Sequence, residues 1–312
     1  MHIFDNPRES RIRAGWRLLI QALAFLFLLL FSYLLLSDYV SENIMLVWVS
    51  VVATLSVWFA ARILDLRGLK EYGLDFNEIW LRQFLVGFGL GAGAMAAIFL
   101  IYLVMGWVEF LGFGWQRFQN GSFTLSFLSY FFAMCSVGYY EELWSRGYQT
   151  RNLAEGLNFQ RFKPEQAVLG AILLTAAFFG MLHAWNPHAT VLSTVVITLA
   201  GIMFAVPYVI TGQLGISIGL HISWNFFQGG VFGFPVSGLS NPSSILQVRT
   251  TGPEIWTGGL FGPEAGFLGL IFVILIIVVV LVYLRRIGYS LKPITGFAEW
   301  NGVRSSKRKM DN

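Results

Sequence analysis

Two adjacent glutamates and an arginine interrupt an apolar stretch of the sequence. They are Glu141, Glu142 and Arg146 in "YYEELWSRGY", residues 139–148. A charged side chain in the hydrocarbon core of a membrane costs at least ~2.5 kcal/mol, so ionisable groups at that depth indicate a functional site. On a helix, Glu142 and Arg146 are four residues apart in the order that favours an ion pair. Glu141 is rotated by about 100° from Glu142, so we expect it to be free for chemistry, unless both glutamates only hold Arg146.

Two histidines lie in other apolar stretches. His183 ends "FFGMLH", with Phe179 one helical turn before it, and His221 begins "HISWN", in which Asn225 lies on the same helical face. Either histidine alone is more typical of a structural side chain. Their occurrence together with Glu141, in a chain with few other ionisable groups at membrane depth, favours a catalytic site.

These groups predict hydrolysis of a peptide bond by an activated water. Glu141 can accept the proton of the water, and His183 can hold or polarise it. His221 and Asn225 can donate hydrogen bonds to the oxyanion of the tetrahedral intermediate, and one such donor is typically worth ~3 kcal/mol. No serine or cysteine nucleophile is implied.

A zinc site is the alternative. A catalytic zinc takes three protein ligands and a water, and Glu141, His183 and His221 are acceptable ligands. The H-E-x-x-H arrangement of many zinc proteases is absent from the sequence. We therefore place a site without a cofactor ahead of a zinc site.

The composition places these residues in a membrane. Of the 312 residues, 56% are hydrophobic and 12% are charged, about half the charged fraction of a soluble domain. Runs of about 20 apolar residues are long enough to span a bilayer. Four such runs are strong (17–36, 43–61, 83–107 and 265–284), and four weaker ones carry the polar residues (123–140, 166–185, 189–211 and 214–233). The sequence predicts an all-α polytopic membrane protein with about eight transmembrane helices around an intramembrane catalytic cavity.

The basic residues alternate along the chain. They precede the first run, separate the second from the third, follow the fourth and follow the last, while Arg117 and Arg249 alone fall in the intervening connections. This positive-inside pattern predicts that both termini are cytoplasmic, and the short cytoplasmic loops fit a prokaryotic plasma membrane. A nucleic-acid partner is not expected, because no soluble face collects the basic residues. The single Cys135 excludes an intrachain disulfide framework.

The chain is predicted to form a single integral membrane domain, residues 1–312. Its motif-bearing core spans about 125–233, a long Gly/Pro-rich loop spans 234–263, and a basic tail spans 285–312. The loop is interpreted as an exterior connection with turns at "TGPE" and "FGPE", or as a lid over a cavity.

The spacing of the motifs predicts the depth of the site. Glu141 and His183 are equally far from position 162, in the polar turn "FQRFKPE", so antiparallel helices would place them at the same depth. Arg161 and Lys163 favour a cytoplasmic turn, and at ~1.5 Å per residue the pair then lies roughly 30 Å away, near the other face. A break near Gly147 would change both estimates, so the side to which the site opens stays undecided at this stage.

Three motifs in order resemble those of one membrane-protein family. "EELWSR" at 141–146 resembles an EExxxR motif, "FGMLH" at 179–183 an FxxxH motif and "HISWN" at 221–225 an HxxxN motif. Together they are similar to the CAAX-protease and bacteriocin-processing family, also called the CPBP or Abi family, which includes the type II CAAX prenyl endopeptidases. The family often has Phe where this chain has Ser145, a departure that concerns the shape of the pocket more than the chemistry.

The resemblance implies an intramembrane endopeptidase of the glutamate type or a metal-dependent one. By motif position, Glu141 and His183 would activate the water. His221 and Asn225 would form the oxyanion site, supported by the EExxxR motif's second glutamate and its arginine.

The resemblance also bears on substrates and on alternative functions. It implies a peptide or protein substrate, lipidated or not, cleaved in CAAX-type C-terminal processing or in peptide maturation. Membrane lipids are the other expected partners, and the oligomeric state stays open. A non-catalytic scaffold or bacteriocin-immunity protein is one alternative function. A proton-coupled transporter is another, since buried Glu and His can relay protons, although no repeated half with a broken helix is seen in the sequence.

Overall fold

The computed structural model describes residues 4–6, 9–116, 121–159 and 162–300. Arg117, Arg161 and the last part of the predicted basic tail lie outside these ranges. The helices in the described ranges are α1 (Ala14–Leu36), α2 (Glu42–Ile63), α3 (Glu78–Val104), α4 (Phe123–Glu141), α5 (Thr150–Leu157), α6 (Pro164–His183), α7 (Val191–Thr211), α8 (Gly215–Asn225), α9 (Glu254–Thr257) and α10 (Phe267–Arg286). The strands are β1 (Asp5–Asn6), β2 (Arg11–Ile12), β3 (Val108–Phe113) and β4 (Leu246–Thr250).

The predicted all-α membrane architecture is confirmed. Seven helical segments of the described chain are long and apolar enough to cross a membrane: α1, α2, α3, the continuous run Phe123–Leu157, α6, α7 and α10. The predicted span 214–233 corresponds to α8 and a π-helix, Phe226–Val231. Together these two elements are shorter than the other spans. The eight predicted transmembrane helices therefore correspond to seven long helical segments and one short one in the described chain.

Local sequence signals set the helix ends. Ser41, Asn77 and Thr190 cap α2, α3 and α7, each side-chain oxygen accepting a backbone N–H of the first turn. Pro164 occupies the first position of α6, where its missing N–H costs nothing. Gly212 ends α7 with a φ of 75°, a left-handed conformation that glycine adopts without strain.

The connections divide between two faces of the bundle. On the first face, Leu214 N donates to Gly73 O at 3.0 Å and Asn158 Nδ2 donates to Ala298 O at 2.8 Å. The first bond joins the α2–α3 and α7–α8 connections, and the second joins the α5–α6 connection to the segment after α10. On the second face, Thr251 N donates to Trp107 O at 2.9 Å, beside the antiparallel β3–β4 pair. The predicted loop 234–263 lies on this second face, and it contains β4 and α9 rather than turns alone.

A buried ion network fixes the first face. Glu155 of α5 accepts from Arg11 and Arg17 at 2.7 Å each and also from Arg67. Arg17 also pairs with the buried Asp65. Burial lowers the pKa of the Arg67 guanidinium, but the neighbouring acidic groups, led by the Glu155 carboxylate, together outweigh burial and raise the pKa. The network therefore ties α1, the α2–α3 connection and α5 together.

Helix α8 lies at the centre of the bundle, and glycines let it approach α3 closely. Every residue of α8 is buried. A Cβ on Gly87 or Gly91 of α3 would collide with the α8 backbone, at 2.1 Å from Ile216 O for Gly87. A Cβ on Gly219 of α8 would lie 2.1 Å from Phe84 O of α3. Such small-xxx-small pairs are typical of close helix contacts in membranes, and here they position the helix that carries His221 and Asn225.

The helix that carries the two glutamates widens where the motif lies. Between α4 and α5 the chain forms a π-helix, Glu142–Gln149, so no break occurs at Gly147. π-Helical turns inside α-helices are frequent at functional sites. Gly138 of α4, one turn before the glutamates, would place a Cβ 2.8 Å from Ile222 N of α8, so glycine brings the two motif helices into contact.

Candidate active site

One large cavity collects the four residues predicted to be catalytic. It has a volume of about 1270 Å³. Glu141, His183, His221 and Asn225 all line it, although they come from three different helices. Glu142 and Arg146 do not line the cavity; both are buried behind it.

His221 lies between the two glutamates. Its Nδ1 is 2.8 Å from Glu142 Oε1, a hydrogen bond, and its Nε2 is 3.8 Å from Glu141 Oε2. The Glu142 carboxylate accepts this hydrogen bond, so Nδ1 of His221 carries the proton that is donated. The ring is stacked on Phe204, with the centroids 4.6 Å apart and the planes 12° apart, which fixes its orientation.

Arg146 balances one of the two carboxylates. Its Nη1 donates to Glu142 Oε1 at 3.1 Å, across the four-residue spacing that the sequence suggests. The guanidinium lies 4.1 Å from the centre of the Phe179 ring and 5.3 Å from that of Phe204, so two aromatic faces hold it. A Cβ at Gly201 of α7 would come within 3.2 Å of Arg146 Nη2, so glycine there leaves room for the charged group.

His183 has a defined tautomer. Its Nδ1 lies 2.8 Å from the backbone oxygen of Phe179. A carbonyl oxygen only accepts, so Nδ1 carries the proton and Nε2 is left with a lone pair. The side chain is half-buried and lines the cavity. Phe179 also packs on the ring, with the centroids 4.6 Å apart.

Glu141 is the more accessible glutamate. Its side chain is 18% exposed, against 0% for Glu142. Oε1 accepts from the Tyr140 hydroxyl at 3.3 Å. Oε2 has no hydrogen-bond partner in the described part of the chain. This buried oxygen, next to His221 Nε2, is therefore the unpaired acceptor of the site.

The charges of the cluster do not cancel. With both glutamates ionised and Arg146 charged, the three groups sum to −1. His221 therefore lies in a cluster with more acidic than basic side chains.

Zinc binding by Glu141, His183 and His221 stays a prediction. Within the described ranges, no group of three or more His, Cys, Asp or Glu side chains is arranged to hold a metal ion. His221 Nδ1 is bonded to Glu142, and its Nε2 lies 3.8 Å from Glu141 Oε2. We derive no step through a metal.

Two residues that line the cavity, Glu264 and Ser237, were not predicted from the sequence. Glu264, in "FGPE", is buried and lines it. Its Oε1 accepts from both the backbone N–H and the hydroxyl of Ser237. Ser237 has a φ of 48°, and with Gly238 (φ 83°) it forms a tight turn between the bridged residues Val236 and Leu239. The signal available in the sequence was an isolated glutamate in a Gly/Pro-rich loop, which by itself indicates only a turn.

The comparison with protein families covers this site. Residues 122–227 match the family described as "Type II CAAX prenyl endopeptidase Rce1-like". This stretch is Rce1-like. The matched residues include all three motifs, so the resemblance drawn from the motifs is confirmed. An Rce1-like stretch supports a CAAX-type intramembrane endopeptidase in general. The comparisons with curated proteins and with solved structures gave no match.

Proposed function

We propose that the protein hydrolyses peptide bonds inside the membrane with a water activated by Glu141. The observation that carries the proposal is the unpaired Oε2 of Glu141, 3.8 Å from His221 Nε2. A water beside these two atoms would contact both at hydrogen-bond distance. Glu141 would accept a proton as the water oxygen bonds to the carbonyl carbon, and would return it to the amide nitrogen as the C–N bond breaks. The Nε2 of His183 would accept a second hydrogen bond and orient the attacking lone pair.

His221 and Asn225 would stabilise the oxyanion. Nδ1 of His221 is occupied by Glu142, so only Nε2 can point at the substrate. It can donate there only when the ring carries protons on both nitrogens. Asn225, one turn further along α8, would supply the second donor.

The cavity supports a peptide substrate with an apolar part. Leu26 of α1, with Phe178 and Leu182 of α6, lines one side of it. These side chains suit apolar residues or a lipid group near the cleaved bond. Ser240 and Asn241 line another part and offer hydrogen bonds to a peptide backbone. C-terminal processing and peptide maturation both fit this mixture.

The test is cleavage by the purified protein in detergent. A panel of farnesylated and unmodified C-terminal peptides is offered to the wild type and to Glu141→Gln, with and without a chelator. Loss of the general base is expected to lower kcat by about 10²–10⁴-fold. The matched control is Glu42→Gln, because Glu42 also lines the cavity but lies at its exposed end; its kcat should stay unchanged.

Four outcomes would contradict this mechanism. Activity retained in Glu141→Gln would remove the proposed base. Activity lost with chelator and restored by zinc would favour a metal mechanism. No cleavage of any peptide by well-folded protein would favour a scaffold or immunity protein. Proton-coupled uptake in proteoliposomes would favour a transporter.

A further inference from the structure

The cavity opens to one face of the bundle. Its lining includes the start of α2 (Ser41–Asn43), the start of α4 (Leu125 and Ser126) and the segment Ser240–Ser243. All three belong to connections of the second face. Its inner end is lined by side chains within the helices, such as Ser145, Met203 and Val273.

The first face is closed beneath the site. At ~1.5 Å per residue, the helical stretches 141–157 and 164–183 each place the site roughly 25 Å from the first face. Tyr72, Tyr148 and Tyr208 fill the interior there without any exposed surface. The rings of Tyr72 and Tyr148 are 5.6 Å apart, and the ion network around Glu155 lies beside them.

The two faces differ in basic residues. The first face displays exposed cations before α1, on the α2–α3 and α5–α6 connections and after α10: Arg13, Arg62, Lys70, Arg82, Lys163, Arg285, Arg286 and Lys292. On the second face, Arg249 is the single Lys or Arg of the described chain, and it is paired with Glu109. Connections rich in Lys and Arg stay on the cytoplasmic side of a membrane.

We propose that the cavity faces the non-cytoplasmic side of the membrane. Given the proposed function, on which this step rests, the substrate is then a peptide segment of an exported or membrane-anchored protein that is presented outside the cytoplasm. A C-terminus that is modified and kept in the cytoplasm would meet the closed first face. The cavity's exposed polar end, with Ser126 and Ser240, would receive such a segment from water.

The first experiment maps sidedness without relying on activity. In a Cys135→Ser background, Ser240→Cys and Lys70→Cys are expressed separately, since both positions are exposed and lie on opposite faces. Intact cells are treated with a membrane-impermeant maleimide. Ser240→Cys should be labelled directly, and Lys70→Cys only after permeabilisation. Leu125→Cys, also exposed at the cavity mouth, replaces Ser240→Cys if that variant does not fold.

A second experiment separates this inference from the proposed function. An impermeant peptide that the purified protein cleaves is added to right-side-out and inside-out vesicles, and only the right-side-out vesicles should cleave it. Labelling of Ser240→Cys from outside with no cleavage by the purified protein would keep the orientation and refute the endopeptidase. Labelling of Lys70→Cys from outside, or equal labelling of both positions, would overturn the orientation whether or not the protein is active.

Discussion

The buried pair Glu142–Arg146 should be strongly coupled in energy. Both side chains are almost fully buried, at 0% and 1% exposure, and Arg146 Nη1 donates to Glu142 Oε1 at 3.1 Å. Removing one partner of a buried pair leaves an uncompensated charge, which typically costs about 3–5 kcal/mol. Glu142→Gln keeps an oxygen for His221 Nδ1, so its cost reports mainly on Arg146. Arg146→Met keeps the length of the side chain between its two aromatic neighbours.

The double variant should lose less than the sum of the two single variants. With Glu142→Gln and Arg146→Met combined, neither charge of the pair remains buried, so we expect a coupling energy of about 3 kcal/mol, near the upper end for contacting residues. The assay is the free energy of unfolding of purified protein in mixed micelles. The matched control is the pair Glu78–Arg82, which has the same four-residue spacing and a distance of 2.6 Å but is more than 70% exposed at each end. Its coupling should stay within ~0.5 kcal/mol of zero.

Additive losses at Glu142 and Arg146, within about 0.5 kcal/mol, would refute the reasoning. Such a result would mean that the two groups do not depend on each other.

Two further predictions test the scaffold of the site. Gly219→Ala should lower the melting temperature and the activity together, because its Cβ would lie 2.1 Å from Phe84 O. The control Gly89→Ala has nothing within 4 Å of its Cβ, so its melting temperature should stay the same or rise slightly. Equal losses in both variants would contradict the close contact of α3 and α8. Burial raises the pKa of Glu264 above its ordinary 4.5, and the hydrogen bonds from Ser237 only partly offset this. The stability of the wild type should therefore fall as the pH rises above about 4.5, until the higher pKa of the folded state is reached. Glu264→Gln has no carboxyl group there, so this contribution to the fall should be missing. The prediction is wrong if the melting-temperature difference between the two proteins is the same at pH 4 and at pH 8.

Helix content and the membrane setting could be predicted because they depend on composition and run length. The apolar runs and the capping residues are local signals, and seven of the predicted spans match long helices. The short α8 was less evident, because its burial depends on α3. The GxxxG spacings at Gly87–Gly91 and Gly215–Gly219 are visible in the sequence, but their pairing is a property of the folded chain.

The sequence predicts which residues share the cavity, but not the hydrogen bonds between them. Glu141, His183, His221 and Asn225 share a cavity, as their motifs suggest, although their catalytic roles stay a prediction. The hydrogen bond of His221 to Glu142 joins residues 79 positions apart, and no local pattern encodes it. Glu264 escaped notice for the same reason, since its loop becomes a wall of the cavity only after α10 has packed.

The network around Glu155 implies an order of assembly. Arg11, Arg17 and Arg67 all belong to parts of the chain that are synthesised before Glu155, and Asp65 is the one buried acid among their partners that is made early. Until α5 arrives, Asp65 is the single buried acid facing three cations in the described chain, so their mutual repulsion weakens the packing of α1 against the α2–α3 connection. The carboxylate that ends this repulsion, Glu155, follows Glu141 and Glu142 on one continuous helical run. The step that joins the N-terminal helices to α5 therefore also sets the depth of the two motif glutamates, while the helices that carry His183 and His221 are still to be synthesised.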